Sequence, residues 1–548
     1  MPQQLLHLPD GQTFTVTPVF GGVGFRSHEM NAAHYHAFPI GWTIVLQTEA
    51  EAESDDDDPM DKDGQDRLDE RDGLMGALLN TKRTIRSYTT PTLDRDRLFI
   101  SSIANPSNNE FKPAASPTRQ IAMMLWVTLY WYFHQPEPSS VLETDASRLT
   151  PPCGRPRGDW KVNITREGVL RGRNLIPKLE RMGLIATSDS SVGTSLNDNG
   201  ESWARMFVSR KMFWQIPGRL FLFTLQPNRG MSSFPGSPTN SRPSSPSPID
   251  SPRPHHRHTH SQPPNAYHSR GDSDLPGSPT PVALVGNPGA MSGPFASSSH
   301  LPTYYPPPPP LYISTDGVRH PLRPKPPRMG EVFYSRYLPS VGQYLSFRVA
   351  SNSPKPVPYL GPVGQKAAEN QHLTTLSDTS LLQMWMSSPR VSAFWGEYHQ
   401  NFLTNGFQSR HSFPVIGMWD GVPFGYFEIY WVKEDVLGRQ LGSESQDWDR
   451  GLHVLVGEEW ARGRVPTWLN GLVHWCLTAD YRTMNICLEP RVDNERQVFL
   501  KGQFANDYDR FIERLQQNGF SRQRQVSFPH KQSWYVKLSR DSWEGPVL

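Results

Sequence analysis

Hydrophobic and polar positions follow regular periods in two long stretches of this chain and lose all period in the stretch between them. Before about residue 226, the runs Thr13–Thr17, Trp42–Gln47 and Arg219–Leu225 have the short, β-branched or aromatic character of strands, whereas Ile121–Phe133 and Val169–Met182 read as helices. That mixture predicts an α+β domain over residues 1–226. After residue 328 a second patterned region runs to the C-terminus. Val332–Arg336 and Tyr344–Arg348 predict strands there, and a helix is expected around Leu381–Met386. Pro423 to Val432 reads as a strand with a glycine bend, closed by the charged turn Lys433-Glu434-Asp435. A strand Leu452–Val456, a loop Gly457–Val465, a helix Thr467–Ala479 and a strand Met484–Glu489 follow in order.

The helix of that series is the best marked. The pairs Trp468/Leu469, Leu472/Val473 and Cys476/Leu477 recur every four residues, so one face packs on a sheet. Pro466 and Thr467 suit its first turn. Strand, helix and strand in succession predict a βαβ crossover with parallel strands, the helix opening at the end of the first strand. Unpaired N–H groups and the positive dipole end then make an anion site of the preceding loop, to which Arg462 and Arg464 add charge and Gly457 and Gly463 close backbone approach. On its own, a Gly/Arg loop of this kind also describes a solvated turn.

Composition explains the gap between the patterned regions. Of 548 residues 53 are Pro, 42 are Gly and only 36% are hydrophobic, and the Pro, Ser and His crowd into residues 227–327. Such a stretch cannot bury a core and reads as a disordered linker, with a stiff polyproline run at Pro306–Pro310. The acidic run Glu49–Asp72 reads as a solvated loop, since like charges at that density repel. The net charge of +2 carries no field on the scale of a nucleic-acid partner. Cys153, Cys476 and Cys487 lack C-x-x-C spacing, which argues against a disulfide framework or a cysteine zinc site, and no metal is expected. The N-terminus lacks the pattern of a secretory leader, and the apolar run Ile121–Phe133, 13 residues long, is too short to span a bilayer. A cytoplasmic protein without a membrane partner is the expectation.

The C-terminal region resembles the GCN5-related N-acetyltransferases, and within them the siderophore-biosynthesis N-acyltransferases. The matching blocks are Trp385-Met-Ser-Ser-Pro-Arg-Val391 with Phe394-Trp-Gly-Glu397, Pro423–Trp431, Asp449-Arg-Gly-Leu-His-Val-Leu-Val-Gly457, Glu489-Pro-Arg-Val-Asp-Asn494, Asn518-Gly-Phe520 and Phe528-Pro-His-Lys531. Met206-Phe-Val-Ser-Arg-Lys-Met-Phe-Trp214 in the first half is similar to the extra N-terminal domain of the fungal members. The resemblance implies an acyl-coenzyme A fold over residues 328–548. It implies acetyl-coenzyme A as donor, N5-hydroxyornithine as acceptor, a hydroxamate as product and siderophore-pathway enzymes as partners. It also implies that His453 and Asp493 are catalytic residues of the acceptor site, with Trp395 beside them. Gly457, Arg462, Gly463, Arg464 and Asn494 meet the coenzyme. Either His453 or Asp493 could be the base that takes the nucleophile's proton.

Three rival readings stay open: a longer acyl group such as anhydromevalonyl, a non-catalytic scaffold, and a general amine acetyltransferase. The C-terminal Gly-Pro-Val-Leu548 is no peroxisomal address, which favours acetyl within the resemblance. Two departures from the family pattern stand out: Lys501–Phe511 lengthens the helix before Gly519-Phe520 or inserts a loop, and Val465 stands where a freer residue is usual. Cys476 and Cys487, on core elements, read as packing residues, so transfer is expected to be direct.

Overall fold

The computed structural model of the chain describes residues 2–28, 41–50, 84–104, 117–142, 145–172, 174–187, 206–222, 310–366, 368–492 and 509–547. Asp493, Asn494, the acidic residues 51–72 and the linker residues 227–309 lie outside them. Alternation of apolar and polar residues builds the first sheet from β1 (Gln4–His7), β2 (Thr13–Val19), β3 (Gly22–Ser27), β4 (Gly41–Ala50), β5 (Thr84–Ser87), β6 (Asp96–Ala104), β7 (Lys161–Ile164), β8 (Ala186–Thr187) and β9 (Met206–Ser209). The order is β1-β2-β3-β4-β6-β7-β9-β8, with β5 added beside β4, and the β6–β7 pair is parallel. Helix α1 (Pro117–Tyr132) crosses between those two strands and is buried throughout Ile121–Tyr132, as its unbroken apolar run requires.

Two expectations fail in this half. The helix expected over Val169–Met182 is broken into a 3-10 turn, Gly168–Arg171, and a short α2 (Ile176–Arg181), because Gly172 takes up extended backbone between them. The strand expected over Arg219–Leu225 begins instead as a 3-10 turn at Gly218–Leu220, which follows α3 (Arg210–Trp214) and Pro217, and its last three residues lie outside the described ones. The linker also ends sooner than expected. A hairpin of β10 (Tyr312–Thr315) and β11 (Val318–Pro321) precedes residue 328, and Arg323 after it donates to both oxygens of Glu434, each at 2.6 Å.

The second sheet orders β12 (Val332–Leu338), β13 (Gln343–Val349), β14 (Ser412–Trp419), β15 (Val422–Trp431), β16 (Arg450–Val456), β17 (Asn485–Leu488), β19 (Lys531–Ser539) and β18 (Ser521–Phe528). Asp420-Gly421, both with positive φ, makes the two-residue turn between β14 and β15. Asp420 is fixed there by accepting from the N–H groups of Tyr344 and Gly364 at 2.8 and 2.9 Å. That turn sets the register of β15 and so which of its residues face β16.

The helices of this half are α4 (Asp378–Met386), α5 (Pro389–Trp395), α6 (Phe402–Gln408), α7 (Val436–Leu441), α8 (Val465–Ala479) and α9 (Asp509–Gln517). Helix α8 is the expected crossover, begun two residues earlier than its sequence suggests. Its apolar pairs are buried, and a side chain at Gly471 would come within 2.7 Å of Leu345, so glycine lets the helix lie close on the sheet.

Candidate active site

Strands β16 and β17 are parallel, yet their register contains two pairs, Arg450↔Ile486 and Gly451↔Cys487. Asn485 clasps this paired end by donating to Asp449 at 2.8 Å. Beyond Gly451 the strands part, and the chain after β17 follows β19 instead: Trp534 N–H donates to the Pro490 carbonyl and Val492 N–H to that of Gln532, both at 2.8 Å. A cavity of about 760 Å³ opens in the wedge, lined by Leu452–Val456 on one side and Leu488–Arg491 on the other. An extended ligand entering here meets a strand edge whose backbone is not registered with β17.

His453 stands on β16 at the point of parting, directly opposite Glu428 of β15. Its Nδ1 lies 2.9 Å from Glu428 Oε2 and its Nε2 2.7 Å from Glu489 Oε1. Each carboxylate is itself held: Tyr426 donates to Glu428 at 2.8 Å, Tyr430 donates to Glu489 at 2.7 Å, and Lys531 lies 3.6 Å from Glu489. Burial alone would lower the histidine's pKa, but Glu489 and Glu428 outweigh it and raise the pKa well above 6.5. Burial would likewise raise the carboxyl of Glu489, but His453 beside it brings it down to about 2, and Glu428 is lowered for the same reason. With a carboxylate against each nitrogen, both ring nitrogens donate, and the ring is an imidazolium. It is nevertheless within reach of a ligand, since 29% of its side chain is exposed, against 22% for Glu428 and 4% for Glu489.

The other expected residues divide. Trp395 meets His453 edge-on, centroids 6.4 Å apart, and its indole N–H donates to the Val454 carbonyl at 3.3 Å. Arg462 and Gly463 line the cavity. Gly457 and Arg464 are not among the residues that line it. A side chain on Gly457 would come within 2.3 Å of the Trp385 ring packed against it, and its N–H donates to the Phe424 carbonyl at 3.0 Å. Arg464 donates to Gln343 at 2.8 Å and its guanidinium lies 5.0 Å from the Trp419 ring. Buried Cys476 and Cys487 have thiols whose pKa burial raises, to about 12 for Cys476, so neither is a ready nucleophile.

Several lining residues had no role assigned from sequence. Arg390, Arg491, Arg514 and Lys531 join Arg462 around the cavity and outnumber the carboxylates of Glu428, Glu459 and Glu489, which leaves it cationic. Among the described residues, Arg390 and Arg462 each have a buried Nε without a hydrogen-bond partner and α8 opens without a side-chain cap, so the walls suit an anionic donor. Glu428, Glu489, Arg390, Arg491 and Lys531 all lie in blocks that carried the family resemblance, which was the available signal.

The family described as acetyltransferase (GNAT) domain matches residues 374–528. The chain is 54% identical to an N5-hydroxyornithine acetylase of Beauveria bassiana, over 97% of this chain and 100% of that one. It is 36% identical to an N(6)-hydroxylysine O-acetyltransferase of Escherichia coli, over 39% of this chain and 58% of that one. With an N(5)-hydroxyornithine:cis-anhydromevalonyl coenzyme A-N(5)-transacylase of Beauveria bassiana it shares 33% identity, over 40% of this chain and 42% of the other.

Proposed function

The chain belongs to the N5-hydroxyornithine acetylases, a siderophore-building branch of the GNAT acetyltransferases, and we propose that it makes its hydroxamate at the edge of His453, with Asp493 as base. It is an N-acyltransferase that uses acetyl-coenzyme A. The acceptor is N5-hydroxy-L-ornithine, for which full-length similarity to the acetylase outweighs partial similarity to the anhydromevalonyl transacylase. The observation that carries the proposal is the ring of His453, held within 2.9 Å of one carboxylate and 2.7 Å of another where the sheet opens into a cationic cavity.

In the reaction the N5 nitrogen forms a bond to the acetyl carbon, the C–S bond breaks, and the nitrogen loses one proton. A histidine that already carries its proton on both nitrogens cannot take that proton. Asp493, the other residue that the resemblance puts at the acceptor, is therefore assigned the base. His453 fixes Glu428, whose exposed edge can accept the hydrogen of the N–OH group and orient the nitrogen. The cation also offsets negative charge developing on the carbonyl oxygen and the leaving thiolate. Arg390, Arg462 and Arg514, which line the cavity, are assigned the donor's phosphates.

Thiol release from acetyl-coenzyme A by the purified chain tests the function. N5-hydroxyornithine should support release and ornithine should not; equal release with ornithine would make the protein a general amine acetyltransferase. Asp493→Asn should lower kcat and remove the acid limb of the pH–rate profile, and an unchanged limb would remove Asp493 as base. The cytosol is the proposed site of action, in keeping with the absence among the described residues of any helix long and apolar enough to cross a membrane. A tagged chain should appear there on fractionation. Contact with enzymes that consume the hydroxamate is also proposed, and co-purification tests it.

A further inference from the structure

The wall that carries Glu428 and His453 has a second face. Against it lies another cavity, of about 380 Å³, which shares Phe402, Glu428 and His453 with the cationic one. Its remaining walls are polar: His399, Asn405, Ser409, His411, Tyr430 and Asp435 among others, with no lysine or arginine among the described residues that line it. Two compartments of opposite character therefore meet at one histidine. A polyanionic donor fits the first and is poorly suited to the second.

Asp435 is the carboxylate that the second compartment does not share with the first. It heads α7, where its Oδ1 accepts from Leu437 N–H at 2.9 Å, and its Oδ2 lies 3.2 Å from His411 Nε2. Its side chain is 15% exposed, enough for one further partner. We infer that this cavity holds the amino-acid end of the acceptor and that Asp435 reads its α-ammonium group. A short aliphatic chain lying with its ammonium at Asp435 directs its other end to the shared wall, where Glu428 and His453 receive the N–OH nitrogen. The neutral donors of Asn405 and Ser409 are available to the α-carboxylate. This inference rests on hydroxyornithine being the acceptor. Capping of α7 is a second role for the same carboxylate, and an asparagine there keeps the cap while removing the charge.

The test compares N5-hydroxyornithine with 5-(hydroxyamino)pentanoic acid, the same molecule without its α-amino group, in wild type and in Asp435→Asn. Wild type should prefer hydroxyornithine by about tenfold or more in kcat/KM. Asp435→Asn should lose most of that preference through a raised KM for hydroxyornithine, with the KM for acetyl-coenzyme A unmoved. His411→Ala, which leaves the cap of α7 in place, should weaken the preference in the same direction. An Asp435→Asn variant that keeps the wild-type ratio overturns the inference, as does a wild type that treats the two acceptors alike. Release from neither acceptor in wild type overturns the function itself, a distinguishable result.

Discussion

The two sheets of this molecule have the same plan and opposite contents. Each runs four antiparallel pairings, then one parallel pair bridged by a helix, then two antiparallel pairings with the last two strands in swapped order. In the first sheet the register of the parallel pair ends at Leu98↔Ile164, and in the second at Gly451↔Cys487. Two residues further on, the second sheet has His453 facing Glu428, with Glu489 beside it. The first has Ile100 facing Ile44, both fully buried, and Arg166 at the place of the glutamate. The connections differ as well. After β7 the chain folds back on β6, with Gly168 seated so closely that a side chain would come within 2.2 Å of the Ile100 carbonyl oxygen. After β17 it follows β19 and leaves the wedge open. Strand order alone confers no chemistry; the parting of two strands and the charges placed there do.

That contrast can be broken from the charged side first. Glu489→Gln removes the more buried partner of His453 and should lower kcat/KM by roughly 10- to 100-fold, measured as hydroxyornithine-dependent thiol release. The same variant should alter stability against pH. Glu489, brought down to about 2, contributes stability above its ordinary 4.5 that is lost as pH falls from there toward 2. His453, raised, contributes stability that is complete below its ordinary 6.5 and is lost as pH rises through its higher folded value. The His453–Glu489 pair is thus strongest between about pH 4.5 and 6.5. Melting temperature against pH should show that maximum in wild type and a flatter curve in the variant. A smaller effect is expected at the cationic rim. Arg462→Ala or Arg514→Ala should raise the KM for acetyl-coenzyme A by roughly fivefold, and added salt should shrink the difference. The smallest effect on turnover belongs to the other sheet. Gly168→Ala, at φ +53 and without room for a side chain, should cost about 1–3 kcal/mol of stability while leaving kcat per folded molecule unchanged.

The strand–helix–strand unit of the second sheet was legible in sequence because its apolar pairs keep a four-residue period over α8 and its loop carries conspicuous glycine and arginine. The pairing of His453 was not. Glu428 and Glu489 lie 25 and 36 residues from it, and a glutamate in a strand reads as a solvent-facing residue until register and the bend after β17 are known. The contact of Arg464 was hidden in the same way: its charge belongs to the loop, but its guanidinium donates to Gln343 of a distant strand. The strand expected at Arg219–Leu225 had aromatic and aliphatic character, but Pro217 with Gly218 favoured a turn at its start. The shared plan of the two sheets left no trace in sequence pattern, since one fills with isoleucine what the other fills with ion pairs.

The most direct measurement is hydroxyornithine-dependent thiol release by the full chain carrying His453→Ala, with its fold checked by circular dichroism. A loss of at least roughly 100-fold in kcat/KM is expected, with the chain still folded. Release near the wild-type rate would contradict it and move the chemistry away from the open wedge of the second sheet.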